Sequence, residues 1–249
     1  MNVKLFKLKC LTNLHVGNGD VNFNVVDNEV EKDPINHYPI INASGVKGAL
    51  RDFFAGKNVA QATIDQIFGA KPKKDDDASD SSAGQVKLLS AWMLARPLRA
   101  TAGSAAYYLV TTPAAVGQFR NITEALGVPC GLSDAKELPE SLSHLEAENR
   151  SLNKWYTFDD EALFEMSEAD FRDISLPVTA RNSTGTVNKQ NLWYEEFVPH
   201  ESVFYFFAVS DDRELLETFA KELDGEVVQF GGHASIGCGL CKVTEQKGG

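Results

Sequence analysis

Residues 202–209, SVFYFFAV, are an apolar run of strand length and read as a buried strand. The residues just after this run constrain the fold further. Ser210 is placed to cap a helix over 211–223, with Asp211 and Asp212 in its first turn, where the helix dipole favours acids. Gly225 stops that helix. Strands over 226–230 and 236–244 then surround a glycine-rich bend. The amino terminus repeats the theme. Residues 3–14 read as a strand that alternates apolar and basic side chains at its start. Ser44 is a plausible N-cap for a helix over 45–55, with Val46, Leu50, Phe53 and Phe54 on one face. Strand–helix–strand at each end of an elaborated middle predicts an α+β chain with a ferredoxin-like, RRM-related core. Such a core leaves one sheet face open, a surface common among RNA binders.

The middle is less regular. Residues 17–43 contain Gly17, Gly19, Asp20, Asp27 and Pro34 and show little periodicity, and so long a connection is usually functional or disordered. A short helix is expected over 60–68. Residues 71–84, KPKKDDDASDSSAG, bury too little apolar surface to order themselves and read as a mobile loop. Strands are expected over 86–94 and 105–111. A helix over 114–126 ends at Gly127 and Pro129. Residues 128–175 read as an inserted acidic subdomain, with Trp155, Tyr156, Phe158, Phe164 and Phe171 to pack it. Residues 176–197 form a hairpin around the turn Asn182–Thr186.

Charge argues against indiscriminate nucleic-acid binding, because the net value is −11. The acids are segregated, however. Residues 131–173 carry twelve Asp and Glu against four Lys and Arg, which leaves −3 for the rest of the chain. Residues 85–120 hold Lys87, Arg96, Arg99 and Arg120 and no acid. The 249 residues include no apolar run long enough for a membrane span and no signal-peptide core, so a cytoplasmic location without membrane partners is expected. Four cysteines make no disulfide framework. Cys238 and Cys241 would point to opposite faces of a strand, which suits structural thiols better than a zinc site.

Two glycine-rich segments stand out, His15-Val16-Gly17-Asn18-Gly19 and Gly231-Gly232-His233-Ala234-Ser235-Ile236-Gly237-Cys238-Gly239. Ordinary tight turns would explain them. So would backbone amides exposed to a polyanion. Lys47 and Arg51, four apart beside Gly45 and Gly48, share one helix face that is either solvated or set against phosphates.

In order along the chain, several runs resemble the RAMP superfamily of CRISPR proteins. They are Leu14–Gly19, Val25-Val26-Asp27, Tyr38–Ile41, Ser44–Arg51, Thr184-Gly185-Thr186, Leu192–Pro199, Gly231-Gly232 and Ile236–Gly239. The run Leu192-Trp193-Tyr194-Glu195-Glu196 is similar, more narrowly, to the repeated backbone subunit of the type III-B Cmr effector complex. The segment 128–175 matches poorly.

The resemblance implies a single RAMP domain over 1–249. Residues 17–43 would be its catalytic loop and 176–197 a thumb-like hairpin. It implies as partners a CRISPR guide RNA, a complementary target RNA, further copies of the chain and other Cmr subunits. It implies target cleavage at regular intervals by attack of the 2′-hydroxyl, with Asp27 catalytic and a ligand for a divalent cation, Mg²⁺ or Mn²⁺. Asp20, Glu29, Glu31 and Asp33 are candidates to assist, and His15 and His37 are acid–base candidates or structural hydrogen-bonders. RNA contacts are expected at Ser44, Gly45, Lys47, Gly48, Arg51, Ser183, Thr184, Gly185, Thr186, Gly231, Gly232, Ser235 and Gly237. Three alternatives stay open: the corresponding type III-A subunit, an architectural relative that does not cut, and a ferredoxin-like metabolic enzyme.

Overall fold

The run at 203–210 is buried because both of its faces are covered. The computed structural model describes residues 1–17, 26–70, 83–182 and 192–247. In chain order its elements are β1 (Asn2–Cys10), β2 (Ile40–Ile41), α1 (Ala43–Gly56), α2 (Gln61–Phe68), β3 (Lys87–Leu88), β4 (Ala91–Ala102), β5 (Tyr107–Thr111), α3 (Pro113–Leu126), β6 (Lys136–Glu137), β7 (Glu146–Ala147), β8 (Arg150–Ser151), β9 (Lys154–Phe158), β10 (Glu161–Glu165), α4 (Glu168–Arg172), β11 (Val178–Asn182), β12 (Leu192–Glu196), β13 (Val203–Ser210), α5 (Arg213–Leu223), β14 (Val227–Gln229) and β15 (Leu240–Glu245). One mixed sheet runs β14-β15-β1-β13-β4-β5-β10-β9-β6, and β11 and β12 pair separately. Its centre, β15-β1-β13-β4, is antiparallel throughout. Because α1 lies between β1 and β4 and α5 between β13 and β15, the two strand–helix–strand units interleave.

Side chains alternate across β13 with period two. Phe206 stacks on Phe6 at 5.1 Å, and Phe219, Phe54 and Phe68 from the helices close that face. On the other face Tyr205 meets Phe119 of α3 edge-on at 4.6 Å, and Phe119 meets Phe158 of β9 at 5.3 Å. The expectation of an open sheet face is therefore corrected: α3 and the acidic segment cover it. The alternation at the amino terminus has the same origin. Phe6 and Leu8 face the helices. Lys7 and Lys9 face the acidic segment, where Lys7 pairs with Asp159 and, at 2.9 Å, with Asp160, and Lys9 pairs with Glu161. Part of the segregated negative charge thus answers one buried and one half-buried lysine of the central sheet.

Local signals mark some helix ends and miss others. Thr112 caps α3 by accepting the Ala115 N–H at 3.3 Å, with Pro113 in the first turn and Gly127 left-handed at the end. Asp212, not Ser210, caps α5, accepting the Leu215 N–H at 2.9 Å. Ser44 lies inside α1, which begins after Asn42. The expected strand over 3–14 ends at Cys10, and residues 234–236 form a 3₁₀ turn ahead of the last strand. Cys10 and Cys241 are opposite one another in the β1–β15 register with sulfurs 3.8 Å apart, both fully buried, and Cys238 is buried too. Among the described residues no helix is long and apolar enough to cross a membrane.

Candidate functional site

The two glycine-rich segments, more than two hundred residues apart in sequence, lie against each other. The Gly232 N–H donates to the His15 carbonyl at 2.9 Å, and the Gly239 N–H to the Asn13 carbonyl at 2.8 Å. Gly231 holds φ at 68°, and a Cβ there would sit 2.2 Å from the His15 carbonyl oxygen. Only glycine permits that approach. The Gly232 amide is consequently spent within the protein rather than left for a polyanion. Gly237 likewise donates its N–H to Ala234, while Ser235 is exposed. Gly231→Ala is expected to cost about 1–3 kcal/mol in backbone strain. Gly48→Ala is the control. That helical position has nothing within 4 Å of an added Cβ, so the change should add about 0.5–1 kcal/mol of stability. Denaturant unfolding of both variants checks the contrast.

Asp27 is fixed to the hairpin at two points. Its N–H donates to the Tyr194 carbonyl at 3.0 Å, and its Oδ2 accepts the Tyr194 N–H at 2.8 Å. Residues 28–31 continue the strip. The Glu196 N–H donates to the Asn28 carbonyl at 2.9 Å, and the Glu31 N–H to the Val16 carbonyl at 2.7 Å. The half-buried Asp27 carboxylate thus belongs to a surface made jointly by residues 14–17, residues 26–31 and β12.

Beneath that surface lies a charged network that sequence reasoning did not single out. Glu195 is 1% exposed. Its Oε1 accepts from Trp193 Nε1 at 2.8 Å and Asn28 Nδ2 at 3.3 Å and stands 3.4 Å from His233 Nε2, while Arg181 pairs with the same carboxylate. Burial alone would raise the Glu195 pKa. The Trp193 hydrogen bond, His233 and Arg181 outweigh it and hold the carboxyl below its ordinary value. His233 is itself lowered, first by burial, then by His15 and Arg181, against the opposing pull of Glu195. The ring of His15 lies 4.9 Å from that of His233, and its Nδ1 is 2.8 Å from the Glu196 carbonyl, a structural hydrogen bond.

The other expected residues divide. Ser44, Gly45, Lys47 and Gly48 lie along the start of α1 and are all exposed. Arg51 is not free to join them: it donates to the Gly69 carbonyl at 2.8 Å and reaches Asp65 at 3.5 Å, tying α1 to α2. The Asp33 carboxylate accepts the Ile35 and Asn36 amides and builds a turn, on which His37 sits at φ 60°. Asp20, most of the 71–84 segment and the turn residues Ser183, Thr184, Gly185 and Thr186 lie outside the described residues. Among the described residues no three His, Cys, Asp or Glu side chains gather to hold a metal.

The sequence pattern of the RAMP superfamily matches residues 7–242. The chain belongs to the RAMP superfamily. Among RAMP proteins it is similar to the CRISPR system Cmr endoribonuclease Cmr4 of Pyrococcus furiosus, at 26% identity over an alignment 289 positions long, gaps included, that spans 98% of this chain and 96% of that protein. Its fold is also that of solved RAMP structures. One is from a type III-B Cmr-beta complex bound to cognate target RNA (TM-score 0.73, 18% identity, 98% of this chain and 97% of that one). Another is oligomeric Cmr4 from Pyrococcus furiosus (TM-score 0.69, 21% identity, 99% and 98%).

Proposed function

We propose that this RAMP chain is a guide-RNA-binding backbone subunit of a type III-B effector complex. In it, Asp27 carries out endonucleolytic cleavage of complementary target RNA. On this reading the interleaved strand–helix–strand units are a ferredoxin-like palm, and β11–β12 with their turn are a thumb. The partners are the guide, the target, further copies of the chain and other Cmr subunits. The observation that carries the proposal is the two-point clamp of Asp27 on Tyr194, which holds a half-buried carboxylate in one place on the side of the hairpin.

The chemistry needs no protein nucleophile. A 2′-hydroxyl attacks the adjacent phosphorus once the reacting atoms are held in line, Asp27 accepts the hydroxyl proton, and the bond from phosphorus to the 5′-oxygen breaks, leaving a 2′,3′-cyclic phosphate and a 5′-hydroxyl that takes its proton from water. The clamp leaves the carboxylate a fixed direction from which to do so. A Mg²⁺ or Mn²⁺ ion, when bound, would stabilise charge on the phosphate. Asp27 is a suitable hard ligand for such an ion, which customarily takes one or two carboxylates and completes its shell from substrate phosphates and water.

Guide binding belongs to the start of α1 and separates its two cations. Lys47→Glu should weaken binding of the guide and lower the salt dependence by about 0.7 in slope, the value for one single-strand phosphate contact. Arg51→Glu should instead lower thermal stability, because it breaks the tie to Gly69 and Asp65. RNA affinity across a salt series, with melting curves on the same proteins, checks both. An unchanged slope for the Lys47 variant would return that residue to the solvated surface.

A further inference from the structure

Arg96 occupies a position in β4 where the strand pattern calls for an apolar side chain, and it is only 4% exposed. A buried cation needs compensation. Here it is incomplete. Nη2 donates to the carbonyls of Phe171, at 3.1 Å, and Ile174, at 2.6 Å, and the guanidinium lies 4.3 Å from the centre of the Phe171 ring. Nε is buried without an acceptor, and among the described residues Arg96 has no ion-pair partner. Burial pulls its pKa down to about 10.

Arg96 lines a cavity of about 270 Å³ whose walls are the turn at 32–39, the segment 171–176 and the end of β12. That is smaller than the roughly 300–1,000 Å³ of a typical small-molecule site. Lys32, His37 and Arg172 add basic groups to the lining, and Glu196 is the one carboxylate among the lining residues. Glu196 is matched by Lys32 at 2.9 Å, so the positive charges of Arg96 and Arg172 are left over. The cavity also adjoins the Asp27 surface. Glu196, in its wall, and Tyr194, which clamps Asp27, are two residues apart on one face of β12, about 7 Å along the strand.

We propose that this cavity is a phosphate site in which Arg96, with Arg172 beside it, holds a backbone phosphate of the RNA strand presented to Asp27. The identity of that strand rests on the proposed function; the phosphate chemistry rests on the cavity alone. With Nη2 committed to two carbonyls, the Nε of Arg96, which has no acceptor, is left to donate a charge-assisted hydrogen bond to a phosphate oxygen, with little competition from water. These residues position the strand and take no part in proton transfer.

The test uses the full chain and a short fluorescent single-stranded RNA. Arg172→Gln removes an exposed side chain and should leave the fold intact. Arg96→Lys keeps the charge and loses the Nε donor. Each should weaken RNA binding several-fold, and Arg172→Gln should lower the salt slope by about 0.7. Inorganic phosphate should compete with the RNA on the unaltered chain and lose that effect in Arg172→Gln. In the assembled complex both variants should raise KM for target and spare kcat, the reverse of an Asp27 variant, so failure of the cavity and failure of the catalytic reading are told apart. Unchanged RNA affinity and slope in folded Arg172→Gln overturn the proposal. So does phosphate binding that leaves RNA undisplaced, which would make this a site for free phosphate. Weakened self-association with unaltered RNA binding also overturns it, and would assign the cavity to an acidic side chain of another protein.

Discussion

Asp27→Asn is expected to slow target-RNA cleavage by about 10²–10⁴-fold, the usual contribution of a positioned acid or base, while leaving RNA affinity nearly unchanged. Asparagine keeps an oxygen that accepts the Tyr194 N–H, and its backbone N–H still reaches the Tyr194 carbonyl. The loop therefore stays docked on β12, and only the charge and basicity are lost. Asp27→Ala removes the side-chain half of the clamp as well and should fall at least as far. Single-turnover cleavage and affinity, measured on one preparation of the assembled complex, give the answer. A target with 2′-deoxyribose at the scissile nucleotide should resist the unaltered enzyme, because the attacking oxygen is gone. Cleavage by Asp27→Asn at the original rate would remove Asp27 from the chemistry and leave it a purely structural clamp.

How much of this was readable from sequence depends on whether the deciding contact is local. The end signals of α3 lie within a few residues of its ends, and Thr112, Pro113 and Gly127 announce them. The start of α5 offered two capping oxygens close together. The Ser210 hydroxyl accepts only the Asp212 N–H, at 3.1 Å and ahead of the helix, and donates to the Gln85 carbonyl, a partner only the folded sheet supplies. The same holds at α1, where the Ala43 N–H is met by Ser90 from the link between β3 and β4, so the helix begins earlier than Ser44 suggests. Helical spacing correctly placed Arg51 near Lys47, but the return of α2 to offer Asp65 and Gly69 could not be read from spacing. The covered sheet face has the same cause: the acids at 159–161 answer β1 lysines some 150 residues away. At the site, the glycine segments and Asp27 were legible as motifs. The Arg181–Glu195–His233 network and the Arg96 cavity were not, because each is assembled from elements remote in sequence.

Glu195→Gln is the second change expected to have a large effect, on stability first and on cleavage through it. The carboxylate is almost wholly buried and answers Arg181, Trp193, Asn28 and His233 together. Glutamine can still accept from Trp193, but it leaves the Arg181 charge unmatched. Breaking a fully buried pair costs about 3–5 kcal/mol. Arg181 and His233 are partly open to water, so a loss of about 1–3 kcal/mol is the better expectation. The pH dependence gives a second handle. Glu195 has a folded-state pKa below its ordinary 4.5, so its stabilisation is complete above that value and is lost as pH falls through the folded pKa. His233 is depressed below 6.5, so the unfolded chain again binds its proton more readily, and stability falls as pH drops below 6.5. The two slopes have the same sign. Removing the Glu195 charge abolishes the acid-side portion, yet it also removes the anion that favours protonated His233. The histidine pKa should drop further and its window should extend to lower pH. Denaturant unfolding from neutral pH to below 4.5 should therefore show Glu195→Gln less stable at neutrality, with the slope beginning at 6.5 continuing further down. Because Tyr194 adjoins Glu195 and clamps Asp27, loosening at this point should also lower cleavage, and Asp27→Asn in the same background should then add less than it does alone. A variant with unaltered stability and an unaltered pH profile would show that Arg181 and His233 are held equally well without the charge.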